Sequence, residues 1–178
     1  LYALIILLTV FLSIHVLRTC MADMYHRKAK ALEETSLVNI PLSIPYMQKC
    51  ISLDKSNSAY HFDLGRMFLQ LTKTQSNPDE FKRNAVLAAE QFKDAIISNP
   101  CSSLAHSGLG VVYNLYRTEN HADKLATLNQ VQGDKLTAEL NKLIKTERNL
   151  LNKAVALNPS SYSHNYLAGY VYVKDWNT

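Results

Sequence analysis

The sequence predicts an all-α fold in which one transmembrane helix precedes an array of stacked helical hairpins. Few segments alternate strictly between polar and apolar residues, so strands are not expected. Glycine and proline are scarce, with five of each, and the prolines stand where helices are expected to begin or end. Three stretches also align in register, because in each a glycine is followed three residues later by an aromatic residue. These pairs are Gly65 and Phe68, Gly110 and Tyr113, and Gly169 and Tyr172.

Helix packing explains why these stretches would repeat. A small residue lets the partner helix of the same hairpin come close, and the aromatic ring one turn later fills the space beyond it. One hairpin cannot bury both of its faces. Successive hairpins are therefore expected to stack and to share a continuous core.

The aligned stretches resemble tetratricopeptide repeats. The Leu-Gly pair of the first repeat helix is found at residues 64–65 and 109–110, with Ala-Gly at 168–169, and a weaker copy opens the array with Ala29 at the small position. The resemblance implies an α-solenoid of about four hairpins over residues 23–178, the last one incomplete, behind an anchor of residues 1–22. The second-helix pattern is matched by Ala88, Phe92, Ala95 and Pro100, and again by Leu151, Ala154 and Pro159.

Residues 1–17 are expected to form the membrane anchor. Leu, Ile and Val occupy every face of the helix between Leu1 and Leu17, and such a helix needs lipid or complete burial in a soluble core. A span needs about 20 apolar residues, which the segment reaches if Arg18 snorkels and residues 19–22 add a turn. No basic residue precedes the segment and no small-x-small site follows it, so a cleaved signal peptide is not expected.

The flank that follows the anchor is basic, with Arg18, Arg27, Lys28 and Lys30 against Asp23. By the positive-inside rule, this flank places the repeat domain in the cytoplasm behind a single membrane pass. Nothing breaks the helical pattern over residues 25–34, so the membrane helix is expected to continue into the first repeat helix. The absence of an initiator Met indicates that the chain lies inside a longer polypeptide.

The remaining helices are predicted from their caps and prolines. We expect helices over residues 43–53, 58–73 with Ser58 as the N-cap, 78–97, 104–117, 135–157 and 162–174. The glycines are further apart than the family's period of about 34 residues. We therefore place extra loop residues at 74–82 and 118–134, where polar and turn-forming residues accumulate. The helix over 135–157 is amphipathic, and its charged face, including Lys145 and Glu147, is expected to be solvated.

No catalytic, cofactor-binding or metal-binding constellation is readable, so an enzyme is not expected. His61 and His106 stand at equivalent places, four residues before their glycines, which indicates packing and not a ligand site. The cysteines Cys20, Cys50 and Cys101 lack the spacing of metal ligands and are expected to be buried small residues. A net charge of +4 is mild for this length and does not indicate nucleic acid, and no small-molecule substrate is implied.

The partner groove is expected on the concave face, which the first helices line. Family members that hold a peptide's terminal carboxylate use several Lys, Arg and Asn residues there, whereas this groove offers Arg66 and Asn114. An apolar and aromatic groove suits a helix or extended segment of a protein partner, such as an integral membrane complex. The predicted groove residues are Phe62, Arg66, Leu69, Ser107, Val111, Asn114, Tyr166 and Tyr170.

Three functions compete at this point. The first is a membrane-anchored scaffold for protein–protein interaction or for assembly of a membrane complex. The second is the non-catalytic tail of a glycosyltransferase, because the junction over residues 22–34 with the following repeat also resembles the tail after the last membrane helix of O-antigen ligases and polymerases. The third is a pilin-like filament subunit. This function is disfavoured because the apolar segment lacks the Glu expected near the start of bacterial type IV pilins.

Overall fold

The computed structural model describes the backbone of residues 2–125 and 130–159, and the side chains of residues 2–117, 141–142 and 144–159. The described backbone is helical and contains no strand, which confirms the predicted all-α class. A short 3-10 helix, Leu37–Asn39, precedes the second α-helix. The six α-helices are α1 (Tyr2–Thr35), α2 (Ile40–Leu53), α3 (Ser58–Thr74), α4 (Pro78–Ser98), α5 (Ser103–Leu125) and α6 (Gln130–Leu157).

The helices form three successive hairpins. The second half of α1 packs on α2, α3 packs on α4, and α5 packs on α6, while α2 contacts α3 and α4 contacts α5 between the hairpins. α1 is one continuous helix of 34 residues, so the apolar segment runs into the first repeat helix as predicted. The predicted fourth hairpin, with Gly169, Tyr172 and Trp176, lies outside the described residues.

Phe92 of α4 joins the second hairpin to the third. Its side chain is 1% exposed. A β-carbon on Gly65, in the same hairpin, would lie 3.0 Å from the Phe92 ring, and one on Gly108, in the next hairpin, would lie 2.6 Å from it. Gly110 repeats the arrangement in the third hairpin, where a β-carbon would lie 3.1 Å from Leu151. The predicted close approach at Gly65 and Gly110 is confirmed, and Gly108 adds a contact between repeats.

The extra residues of each repeat lie in longer helices, so the predicted loops at residues 74–82 and 118–134 were wrong. Only residues 75–77 separate α3 from α4, and α5 continues to Leu125 before α6 begins at Gln130. The connection before α4 is short because the helix begins abruptly. The Asn77 side chain accepts a hydrogen bond from the Asp79 N–H at 2.9 Å, and Pro78 is the first helical residue. Proline at the first helical position forfeits no intrahelical bond.

Two local predictions about helix starts need correction. The N-cap of α3 is Asn57, whose side-chain oxygen accepts from the Ala59 N–H at 3.1 Å, and not Ser58. α2 begins at Ile40, before the predicted start at residue 43, so Pro45 lies inside the helix. Pro45 is the sixth residue of α2, so it removes the one backbone bond that an N–H at this position would donate to the carbonyl oxygen of Pro41.

The cysteine prediction holds for one residue of three. Cys50 is buried between the first two hairpins, and burial raises the pKa of its thiol to about 11. Cys20 and Cys101 are exposed, so for these two the prediction of burial was wrong. Cys20 lies in α1 beside the apolar segment and Cys101 lies in the turn between α4 and α5, where no partner helix covers them.

Candidate interaction surface

A ladder of polar contacts joins α1 to α3, the first helices of the first two hairpins. The Tyr60 hydroxyl donates to Asp23 Oδ1 at 2.6 Å. One turn further on, His26 Nε2 and Lys30 Nζ lie 2.8 and 3.0 Å from the two carboxylate oxygens of Asp63. At the far end of the ladder, Arg66 donates to Glu33 Oε2 at 2.7 Å. The participating residues recur every three or four positions, so each set lies along one face of its helix.

Burial is uneven across this ladder. The Asp63 and Glu33 side chains are 9% and 7% exposed, whereas those of Lys30 and Arg66 are 34% and 33% exposed. Lys30 and Arg66 are each paired with a carboxylate, and Arg66 Nη2 also lies 3.6 Å from Asp63 Oδ1. A groove whose basic side chains are neutralised in this way is a poor receptor for an anionic ligand.

Burial affects three polar groups of α1 and α3, namely the Tyr60 hydroxyl and one side-chain oxygen each of Glu33 and Gln70. Burial, together with the hydrogen bond to the Asp23 carboxylate, raises the pKa of Tyr60 well above its usual range. Glu33 Oε1 and Gln70 Oε1 are buried acceptors that have no hydrogen-bond partner among the described residues. A buried acceptor without a donor costs stability, and a ligand in the groove does not reach these two oxygens because almost none of their surface is accessible.

The structure places the predicted groove residues unequally. Leu69 and Ser107 are buried and present little surface, while Arg66 and Val111 are partly exposed. The Phe62 ring packs against Phe92, with 5.8 Å between ring centroids.

Asn114, like Phe62, contacts the second helix of its own hairpin. Its Nδ2 donates to Glu147 Oε1 of α6 at 2.6 Å. Tyr166 and Tyr170 lie outside the described residues.

The polar side chains contributed by α1 were missed from the sequence. In each repeat, the predicted groove residues lie three positions before, one position after and four positions after the small residue. Applied to Ala29 of the weaker first copy, it gives His26, Lys30 and Glu33, which are three of the ladder residues. The sequence therefore contains these positions, but the groove was predicted only from the repeats with glycine at the small position.

The two equivalent histidines serve the same structural purpose. His61 Nε2 lies 3.0 Å from the Lys55 carbonyl oxygen, and His106 Nε2 lies 3.1 Å from the Pro100 carbonyl oxygen, in each case six residues earlier. Each ring thus ties the start of a first helix to the preceding turn, which agrees with the predicted packing role. Burial lowers the pKa of His106, so the neutral ring is favoured. Among the described residues, no group of side chains could hold a metal ion.

The apolar segment, residues 2–17 of α1, packs on no other part of the described chain. Its large side chains are exposed throughout, Leu7 and Phe11 by 73% and 63%. By length and composition, this helix is sufficient to cross a membrane. Within the described residues, no other helix buries this segment.

Comparisons with solved structures give the fold a name. The chain aligns with the tetratricopeptide-repeat domain of Arabidopsis OM64 at 12% identity and a TM-score of 0.60, covering 86% of this chain and 96% of that one. The fold is that of a tetratricopeptide-repeat array. No family model matches the sequence, and no curated protein matches it significantly.

Two further solved structures are similar. The first tetratricopeptide domain of Spaghetti (RPAP3), bound to the HSP90 peptide SRMEEVD, aligns at 9% identity and a TM-score of 0.64, over 90% of this chain and 96% of that one. The human IFIT1 dimer with PPP-AAAA aligns at 14% identity and a TM-score of 0.50, over 88% of this chain and 45% of that one. At these identities the likeness concerns the fold.

Proposed function

We propose that this chain is a membrane-anchored scaffold whose tetratricopeptide array holds a protein partner, such as a component of an integral membrane complex. The single observation that carries the proposal is the continuity of α1. Its first half is an exposed apolar helix, and its second half packs on α2 in the first hairpin and is joined to the second hairpin by the ladder to α3. A rigid helix of this kind would hold the array at a fixed distance from the bilayer. The basic flank after the segment supports a cytoplasmic array.

The concave face supports a polypeptide occupant. The RPAP3 domain, which shares this fold, is described with a bound HSP90 peptide. In the present chain Lys30 and Arg66 are already paired with Asp63 and Glu33, so an acidic peptide terminus is a poor fit. We therefore propose a neutral or basic segment of a partner protein, with apolar side chains against Val111.

Charges in the apolar segment are expected to abolish the anchor. Leu8→Arg combined with Phe11→Arg places two cations in the middle of the span, each costing about 2.5–3.5 kcal/mol of insertion free energy. We expect the unmodified chain to resist alkaline carbonate extraction and the double variant to be released. The matched control is Ile97→Arg combined with Leu104→Arg, which charges two exposed apolar residues of the array, and it should stay in the membrane. Release of the unmodified chain would refute the anchor.

A photo-crosslinking amino acid at Val111 is expected to capture a protein partner in native membranes. Val111 is one position past Gly110 and partly exposed on a first helix. The control position is Arg83, which is exposed on α4, a second helix. We expect a discrete adduct, identified by mass spectrometry, from position 111 only, and we expect excess unlabelled full chain to compete it away. The same adduct from both positions would contradict the groove.

A second candidate is favoured by the same continuous helix. An uninterrupted passage from membrane helix to repeat also fits the non-catalytic tail of a larger membrane enzyme resembling O-antigen ligases and polymerases. The reading frame upstream of Leu1 decides between the two. Further membrane spans there would favour the transferase tail, and an initiator Met within a few residues would favour the scaffold.

A further inference from the structure

The junction between the apolar segment and the array contains an open crevice of about 340 Å³. One wall is α1 and the other is the turn that joins α2 to α3. We call it the junction crevice. Its ends differ in chemistry, because Phe11 and Ile14 line it toward the apolar segment and Arg18 and Lys55 line it toward the array, with His15 of α1 between them.

The depth of the junction crevice follows from helix geometry. At a rise of 1.5 Å per residue, residues 2–17 extend about 24 Å, somewhat less than the hydrocarbon core of about 30 Å. Arg18, the next residue, would therefore reach the lipid headgroups by snorkelling. Arg18 Nη2 donates to the Leu53 carbonyl oxygen at the end of α2, at 3.2 Å. That contact fixes the turn after α2 at the same depth.

The charges around the junction crevice favour an anion. Arg18 and Lys55 are both exposed, and the contact with Leu53 uses one N–H of Arg18, which leaves other guanidinium donors for a ligand. The opposing carboxylate, Asp54, accepts hydrogen bonds from the hydroxyl and the backbone N–H of Ser56, at 2.8 and 3.2 Å. These contacts hold the Asp54 carboxylate within its own turn and partly satisfy its charge.

We propose that the junction crevice binds an anionic phospholipid, with the headgroup phosphate between Arg18 and Lys55 and the first acyl carbons against Phe11 and Ile14. The inference rests on the proposed membrane anchor. A free phosphate would satisfy only the cationic end, whereas a phospholipid matches both ends in the order in which the bilayer presents them. Such a lipid would fix the tilt of the array against the membrane and thereby the position of its groove.

The test is lipid binding to the full chain in detergent micelles, measured by native mass spectrometry. Phosphatidylglycerol is expected to bind at least tenfold more tightly than phosphatidylcholine with the same acyl chains. Arg18→Gln combined with Lys55→Gln should weaken phosphatidylglycerol binding roughly fivefold for each charge removed and leave phosphatidylcholine unchanged. Lys73→Gln combined with Arg83→Gln removes two exposed charges elsewhere and should change neither lipid.

Three outcomes would overturn the proposal. The first is equal binding of the two lipids, and the second is an equal loss of phosphatidylglycerol binding in the Lys73→Gln, Arg83→Gln control. The third is displacement of phosphatidylglycerol by equimolar inorganic phosphate, which would make this a phosphate site. Carbonate extraction tests the membrane anchor independently of lipid binding. A chain that resists extraction without lipid preference keeps the anchor and refutes the lipid site. A chain that carbonate releases refutes the anchor and, with it, the lipid site.

Discussion

Phe92→Ala is expected to lower the free energy of unfolding by about 3–5 kcal/mol, the usual range for removing a buried phenyl ring. The ring is 1% exposed and lies against both Gly65 and Gly108, so its loss opens a cavity between the second and third hairpins. Because a repeat array is stabilised by nearest-neighbour contacts, the two hairpins should also unfold less cooperatively. Urea unfolding of the full chain in micelles, followed by circular dichroism, measures both effects.

The controls for Phe92 address the surface and the glycine partner. Ile97→Ala removes an exposed side chain from the same helix and should change stability by less than about 0.5 kcal/mol. Gly108→Ala adds a β-carbon within 2.6 Å of the ring and should cost about 1–3 kcal/mol. Part of that cost should disappear when Gly108→Ala is combined with Phe92→Leu, which frees space, because the effects of substitutions at contacting residues are not additive. A loss below about 1 kcal/mol for Phe92→Ala would contradict the role of the ring.

The hairpins could be predicted because their requirements are local in the sequence. A glycine and an aromatic residue one turn apart identify the face of a helix that meets its partner, and Gly65 and Gly110 do meet large side chains of α4 and α6. Helix lengths were harder to predict. Polar residues accumulate both in loops and on solvated helix faces, so composition over residues 74–82 and 118–134 did not reveal that helices continue through most of them.

The pairing of the polar side chains could not be predicted, because the partners are distant in sequence, although the repeat register does give the positions of His26, Lys30 and Glu33. Asp63 stands in no recognised motif position, yet it anchors α1 through His26 and Lys30, more than 30 residues earlier. Glu147 was assigned to the solvated face of α6 and is instead 1% exposed, so that prediction was wrong. Helical periodicity placed it among charged residues, and only the neighbouring helix α5 supplies the reason for its burial.

Glu147→Ala is expected to cost about 3–5 kcal/mol, as when one partner of a buried ion pair is removed. Glu147 Oε1 accepts from Asn114 Nδ2 at 2.6 Å, and Oε2 lies 3.5 Å from Arg117 Nε. Arg117 is also buried, so the substitution takes a countercharge from a guanidinium that water scarcely reaches. The midpoint of urea unfolding, with the slope of the transition held constant, gives the loss.

Three further variants separate the charge of Glu147 from its hydrogen bond. Glu147→Gln keeps an acceptor for Asn114 without the charge, so its cost should fall between zero and that of Glu147→Ala. Lys145→Ala, on the exposed face of the same helix, should be within about 0.5 kcal/mol of the unmodified chain. Glu147→Gln combined with Arg117→Met should recover part of the loss seen in Glu147→Ala, because it removes the buried cation and keeps an acceptor for Asn114. If the double variant were as unstable as Glu147→Ala, packing and not charge would be the reason why Glu147 is required.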